Sequence, residues 1–486
     1  MGVMTRQLLK SLIPGLLMVT GLAGSGTGAD FIQLRGVMHV HSDFSSGRYS
    51  IPQLIEKAKS SGLEVLVTAD HDLVVMEYGL FPLRNLIKKR EERKSVLQRG
   101  PETYLAAIQR ANDLQNNVIV IPGVQSSPFY YWTGSPVRRN LEAHDYRKEL
   151  LLIGLDDARD YKHLPVLHNG LSTSYFQKLL PRSLVFTAVI VIGVTFGFHR
   201  GWRRIAGGLI AALGLLLLIN HHPFASSRFD PYHGSQGIKP YQELIDYVGQ
   251  RGGLVYWAHP ESKFSQEGQK IGSITLQTRP YPEDLIHSTG YTGFSVLYGE
   301  KTTATLPGRH WDKLLKSFCQ GQRIHPVWGI AGSDFHQETE WLKLDTLQTV
   351  FLVKAKTRSA VLNALKAGRT YAVLKSGPSL LTLDWFIVKA PGSEKTATMG
   401  ETLRTRGIKQ IEGKVTSGVD DRLPVRLQVI RNGRLWQQFS GHTPLEFHLE
   451  DSDRFRTKGY YRLIVDAGAR GRLISNPVFV TNQLIY

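Results

Sequence analysis

Apolar residues fall along the chain in short blocks separated by amphipathic stretches. Up to residue 376, strand-like runs recur at 64–69 (EVLVTA), 118–122 (VIVIP), 150–155 (LLLIGL), 253–258 (GLVYWA), 293–298 (GFSVLY) and 327–332 (VWGIAG), with an earlier run, FIQLRGVM, ahead of His39. Between several of them lie segments with apolar residues at helical spacing, such as PQLIEKAKSSGL and PYQELIDYVGQRGG. This alternation predicts a parallel α/β sheet or barrel. Beyond SGPSLLTLDW (376–385) the helical period is lost, and short period-two runs replace it: PVRLQVIRNG, PLEFHLEDS, GYYRLIVDAG and NPVFVTN. RNGR (431–434) reads as a tight hairpin turn. Residues 377–486 are therefore expected to form a small β-sandwich.

Two blocks break the array. SLVFTAVIVIGVTFGF (183–198) and IAGGLIAALGLLLLI (205–219) are joined by a basic turn, HRGWRR. With Leu179, Leu180 and Trp202 they approach the ~20 residues of a membrane span, so a transmembrane helical hairpin is expected within an insertion at 166–230. Arg200, Arg203 and Arg204 favour a cytoplasmic turn, which puts both flanks outside. Residues 1–29 carry Arg6 and Lys10, an apolar stretch and small residues at Thr27–Ala29, the pattern of a signal peptide or N-terminal anchor. The expected location is the cytoplasmic (inner) membrane, with the folded domains on the periplasmic side. The alternating array is then divided into 30–165 and 231–376.

Composition changes the picture in two places. At 486 residues, two or three domains are expected. Lys and Arg number 59 against 41 Asp and Glu, a net charge of +18. This suits an anionic membrane surface or an anionic substrate; no nucleic-acid motif or long basic run accompanies it, and no nucleic-acid partner is expected. Cys319 is the only cysteine, which excludes a disulfide framework and a Cys-based zinc site.

The candidate chemistry sits where strand-like runs end. His39 and His41 are two apart, so in an extended strand they share a face, with Asp43 beside them if the extension continues. Asp70 and His71 follow VLVTA, His259 follows LVYWA, and Asp334 and His336 follow GIAG. Strand ends of an α/β barrel meet at one mouth. His39, His41, His71, His259, Asp334 and His336 would converge there, and imidazole with carboxylate suits Zn, Mn or Fe(II).

HVHSDFSSG, TADHD, AHP and GSDFH, in this order, resemble the motifs of the polymerase-and-histidinol-phosphatase (PHP) superfamily of metal-dependent hydrolases. The resemblance covers residues 33–376 apart from the hairpin, and ALKAGRTYAVLKSGPSL resembles the carbaryl-hydrolase (CehA/McbA-like) branch, in which a β-rich domain follows the barrel. It implies a distorted (β/α)7 barrel, here with an inserted transmembrane hairpin and a C-terminal β-sandwich, and a two- or three-metal site. It further implies that His39, His41 and Asp334 share one ion and that His71 and His336 hold a second. His259 would complete a site or orient the leaving group, and Asp70 would set a histidine tautomer. The chain departs from the family pattern at Ser46, where Asp is usual, at Gln125, where a bridging Glu is usual, and at Leu151, where a His is usual; Glu149 and His144 are candidate substitutes for the last. A neutral amide cannot share charge between two cations, so one or two ions are expected rather than three. Arg48 is a candidate for neutralising an anionic substrate. The function implied is hydrolysis of a phosphoester, ester or amide-type small molecule by metal-activated water, with His71, His259 and Asp70 in the catalytic set. The alternative is a degenerate barrel acting as a non-catalytic metal- or ligand-binding envelope scaffold.

Overall fold

The structure is a computed structural model that describes residues 31–114, 117–263, 268–393, 395–418 and 422–482. The expected signal segment lies outside them. The chain is a mixed α/β protein, and the predicted strands form at Val65–Thr68, Ile119–Ile121, Leu150–Ile153, Leu254–Trp257, Gly293–Leu297 and Trp328–Ala331, with Ile32–Val40 ahead of them.

Period-two burial sorts these strands into two apolar layers. Val65 and Val67 turn inward with Met38, Ile121, Leu151 and Ile330. Leu66 turns outward with Val37, Val120, Leu152 and Val255, against Leu54, Tyr104 and Leu244 of the surrounding helices. The helix after the first His pair, Ile51–Ser60, begins with Pro52 in its first turn. There Ser50 N donates to the Gln53 side chain at 2.9 Å, which satisfies an otherwise orphaned helix-start donor.

The ladder does not close into a ring among the described residues. It forms two sheets. One contains Ile119–Ile121, Val65–Thr68, Ile32–Val40, Leu347–Val353 and Thr370–Lys375; the other runs Asp70–His71, Gly123–Ser126, Leu150–Ile153, Leu254–Trp257, Gly293–Leu297, Trp328–Ala331. The chain passes from the first sheet to the second at Thr68–Asp70 and again at Ile121–Gly123. Where the last strand would meet the first there is a single bridge, Val40 to Phe335. Ala331 N bonds there to the Thr349 hydroxyl, at 3.0 Å, so a side chain takes the place of a ladder partner.

The expected parallel order fails at Leu150–Ile153, which runs antiparallel to both neighbours. A parallel return needs a crossover, usually a helix. Residues 127–149 form the short strands Tyr131–Thr133 and Leu141–His144 instead, so the chain comes back in the opposite direction.

The two apolar blocks form helices Phe176–Gly197 and Trp202–Asn220, long and apolar enough to cross a membrane and mostly not buried by the rest of the protein. They pack through small residues: a Cβ at Gly193 would meet Ala211 N at 2.4 Å, and one at Gly207 would meet Gly193 O at 2.6 Å. Leu184, Val191, Leu209 and Leu213 face outward and are exposed.

Across residue 376 the first sheet continues without a break, since Tyr371 pairs with Ser475 and Ala372 with Ile474. A second sheet, built on Thr382–Lys389, Lys409–Thr416 and Leu445–Asp451, faces it over a common core that includes Phe386, Ile411, Leu427 and Leu463. Asn432 and Gly433 have φ of 48° and 75°, the left-handed pair that a tight two-residue hairpin turn requires. Asn476 accepts from Gly329 N at 2.7 Å and donates to Gly329 O at 3.0 Å, so the C-terminal region braces the strand that leads to Asp334.

Candidate metal centre

The His-x-His pair ends the Ile32–Val40 strand, but not by simple alternation. The register slips between Met38 and Val40, and His39 adopts φ of 66°. Asp334 is also left-handed, at 47°. Non-glycine residues in this region cost on the order of 1–3 kcal/mol each and persist where surrounding bonds hold them. Phe335 N donates to His39 O at 3.0 Å and His41 N to Phe335 O at 2.8 Å, which locks the two loops together. The result brings His39 Nε2 and His41 Nε2 to 3.1 and 3.4 Å from Asp334 Oδ1. Both ring nitrogens are buried and have no well-formed hydrogen bond among the described residues. Such orphaned polar atoms call for a partner such as a cation.

A second triad overlaps the first. His41, His71 and His336 can offer ligand atoms within 4.8 Å of one another, as can His39, His41 and Asp334. The His41 and His336 rings stack at 4.1 Å, and His41 lies 4.7 Å from His71. Burial pushes His41 and His71 down to about 3, which keeps both imidazoles neutral with a lone pair available. Burial opposes ionisation of Asp334, yet the histidines around it, His39 first, hold its carboxyl well below the usual range. The side chain is enclosed by the site but 44% accessible, because it faces the open cavity.

Asp70 reaches a histidine only indirectly: among the described residues its hydrogen-bond partners are Ser42 and Ser45. It accepts from Ser42 N at 2.8 Å, Ser42 Oγ at 2.7 Å and Ser45 Oγ at 2.6 Å. Ser45 Oγ in turn lies 3.4 Å from His41 Nδ1. With its proton given to Asp70, the hydroxyl can only accept from His41. That favours Nδ1–H on His41 and leaves Nε2 bare toward Asp334, so tautomer control passes through Ser45. Ser46 Oγ is also 3.4 Å from His41 Nδ1.

His259 and Glu149 form a buried pair, Nε2 to Oε2 3.1 Å. Burial disfavours charge on both, but the hydrogen bond and charge of Glu149 push His259 up to about 9, and His259 holds Glu149 below its usual range. The His259 ring stacks on His39 at 5.9 Å, which joins this pair to the first triad. Gln125 is level with His71 in the sheet, and its buried Oε1 has no hydrogen-bond partner among the described residues.

Several expectations are corrected. The turn closed by Gly47 N to Ser42 O at 2.9 Å carries Asp43 and Arg48 out to the surface, away from the cavity. The cations that do line it are Arg93, Lys94 and Arg147. His144 stacks on Tyr131 at 4.8 Å and bonds Thr133 at 2.7 Å, apart from the centre, whereas Glu149 reaches it. The pairing of Glu149 with His259 had only chain proximity to LLLIGL as a signal, and the cavity cations had none, because both arise from packing between distant segments.

These donors fit a divalent cation: neutral imidazoles, one carboxylate and orphaned buried nitrogens. His41 turns Nδ1 toward Ser45 and has only Nε2 left, so it can serve one triad at a time. His39, His41 and Asp334 would hold one ion, and His71 and His336 would begin a second site. His71, Glu149, His259, Asp334 and His336 line a cavity of about 830 Å³ that also takes in Tyr130, Tyr281 and Tyr298, with His39 and His41 buried behind them.

No family model matches the chain, and no curated protein matches it. Among solved structures, the chain is similar to a two-domain protein from Bacteroides vulgatus containing a predicted PHP-like metal-dependent phosphoesterase, at 12% identity over 93% of this chain and 96% of that one, with a TM-score of 0.37. It is also similar to an amidohydrolase from Chromobacterium violaceum with bound sulfate and no metal, at 16% identity over 63% of this chain and 89% of that one, with a TM-score of 0.29.

Proposed function

We propose that the chain is a membrane-anchored, extracytoplasmic metal-dependent hydrolase of the PHP type, acting on a phosphoester or an ester- or amide-type bond. The observation that carries this reading is the meeting of His39, His41, His71, Asp334 and His336, from three distant segments, with ligand atoms close enough to share an ion. The two sheets around them are read as an opened PHP-type barrel. The outward apolar faces of the two long helices support the membrane anchor, and Arg200, Arg203 and Arg204 in the turn support its orientation.

A divalent ion here would polarise a substrate oxygen and lower the pKa of water. The remaining roles belong to the chain. Arg93, Lys94 and Arg147 draw an anionic group into the cavity. Asp70, through Ser42 and Ser45, fixes the loop that presents His41. His259 holds a proton against Glu149 and can deliver it to a leaving-group oxygen. Elemental analysis of the detergent-purified protein, followed by a phosphoester, ester and amide substrate screen with Zn, Mn or Fe(II), tests the reading. One or two bound ions and turnover that disappears in His71→Ala are expected. Turnover that survives this substitution removes the assigned roles.

Gln125 favours a second reading. A buried amide where a bridging carboxylate is usual fits a barrel that binds an ion or ligand without turnover, as an envelope scaffold.

A further inference from the structure

The cavity wall and the membrane hairpin share the same structural supports. Strands Val74–Gly79 and Lys88–Arg93 form a β-ribbon. At one end Val74, Val75 and Arg93 line the cavity. At the other end the ribbon's loop, residues 80–87, is bonded to the foot of the second apolar helix: Asn85 N to Asn220 Oδ1 at 2.8 Å, Asn85 Nδ2 to Asn220 O at 2.6 Å, and Asn220 Nδ2 to Pro82 O at 3.3 Å. A second cavity segment, Val166–Leu167, lies just ahead of the first apolar helix, and Ser226, just after the second, donates to Val166 O at 2.7 Å.

The loop at this junction has the character of a bilayer contact. Leu80, Phe81, Leu86 and Ile87 are exposed, Phe81 at 80% and Ile87 at 52%. Phe224, also exposed, packs against Phe176 at the same foot of the hairpin, 5.4 Å between rings. Lys88 and Lys89 follow immediately, the pairing of apolar and basic residues that settles into a headgroup layer. The loop is bonded to the foot of the second long helix, and both present exposed apolar side chains, so a bilayer is the occupant that covers both.

The cavity is amphipathic in the matching sense. Val74, Val75, Val166 and Leu167 supply an apolar side from the segments rooted at the hairpin, while His71, His259, His336, Asp334 and Arg147 supply the polar side. Four strand residues, Met76 to Gly79, separate the cavity-lining Val75 from the loop, roughly 13 Å at the usual rise. That is within the reach of a lipid, which spans about half of the ~40–45 Å bilayer thickness.

We infer that the ligand of this site is a bilayer-resident anionic phosphoester lipid, which enters along the β-ribbon while loop 80–87 sits in the interface. The inference rests on the hydrolase reading for the chemistry but not for the binding. The full chain in lipid nanodiscs containing a photoreactive phosphatidic acid tests it by mapping cross-links. Labelling of the Val74–Val75 and Val166–Leu167 peptides is expected. The double substitution Phe81→Asp and Ile87→Asp, at exposed positions, is expected to cut that labelling about tenfold or more, the effect of one buried large apolar side chain, with hairpin labelling unchanged as the control for folding. Cavity peptides without lipid label, or label removed equally well by soluble glycerol phosphate, overturn the inference. Turnover of a soluble phosphomonoester without lipid label in the cavity leaves the hydrolase standing and removes the lipid. Lipid label without turnover of any phosphoester does the reverse.

Discussion

Glu149 and His259 meet just beyond the paired ends of the antiparallel strands Leu150–Ile153 and Leu254–Trp257, Oε2 to Nε2 3.1 Å, where Ala258 N donates to Glu149 O at 3.1 Å and ties the two chain segments together. The side chains are mutually dependent, because each is the main support for the other's charge. Glu149→Gln keeps the shape but removes the charge. It is expected to bring the His259 titration down from about 9 to the ordinary 6.5 or below, followed by NMR of the labelled imidazole. An unchanged His259 titration would show that another group holds its proton.

The metal-free protein is expected to be most stable near pH 6.5. His41 and His71 stay neutral in the folded state down to about 3, whereas in the unfolded chain they take up protons below 6.5. The unfolded state therefore binds more protons between these values, and stability falls on acidification, by up to about 1.4 kcal/mol per pH unit for each histidine. His259 has the opposite sign. Its folded value is raised to about 9, so its stabilisation is full below 6.5 and is lost as pH rises through 9. Urea midpoints measured across this range in the presence of chelator check both limbs; a midpoint that rises steadily from pH 5 to 9 contradicts them.

Asp70→Asn leaves a donor where three hydrogen bonds are accepted. The Ser42–Ser45 loop should loosen, with a stability loss of about 1–3 kcal/mol. Metal affinity should fall roughly 10–100-fold through the misplaced His41, as for other residues that orient a ligand. Ser45→Ala removes only the link to His41 and should reproduce part of the affinity loss with little change in stability. Chelator competition and denaturant titration separate the two. Equal affinity in all three proteins would exclude the relay.

Gln125→Glu restores a carboxylate beside His71, at a buried oxygen that has no hydrogen-bond partner among the described residues. With a charge available to hold a second cation, the expected result is one additional ion per chain by elemental analysis, together with a higher phosphoester rate. No change in stoichiometry would show that Gln125 is not what limits metal content.

Much of the architecture follows from local pattern. Short apolar runs announced the central strands, period-two runs those beyond residue 376, the two uncharged blocks the long helices, and Asn432–Gly433 its turn, because each depends on residues close in the chain. Polar residues at strand ends were visible for the same reason: an apolar run that stops at His39, His71, His259 or Asp334 marks where a strand leaves the core. Other features came only with the tertiary structure. The antiparallel course of Leu150–Ile153, the sheet that runs across residue 376, the serine between Asp70 and His41, and the choice of Glu149 over His144 as the partner in the cavity are all of this kind. Periodicity records whether a position is buried. Which groups meet there is decided by how distant segments pack.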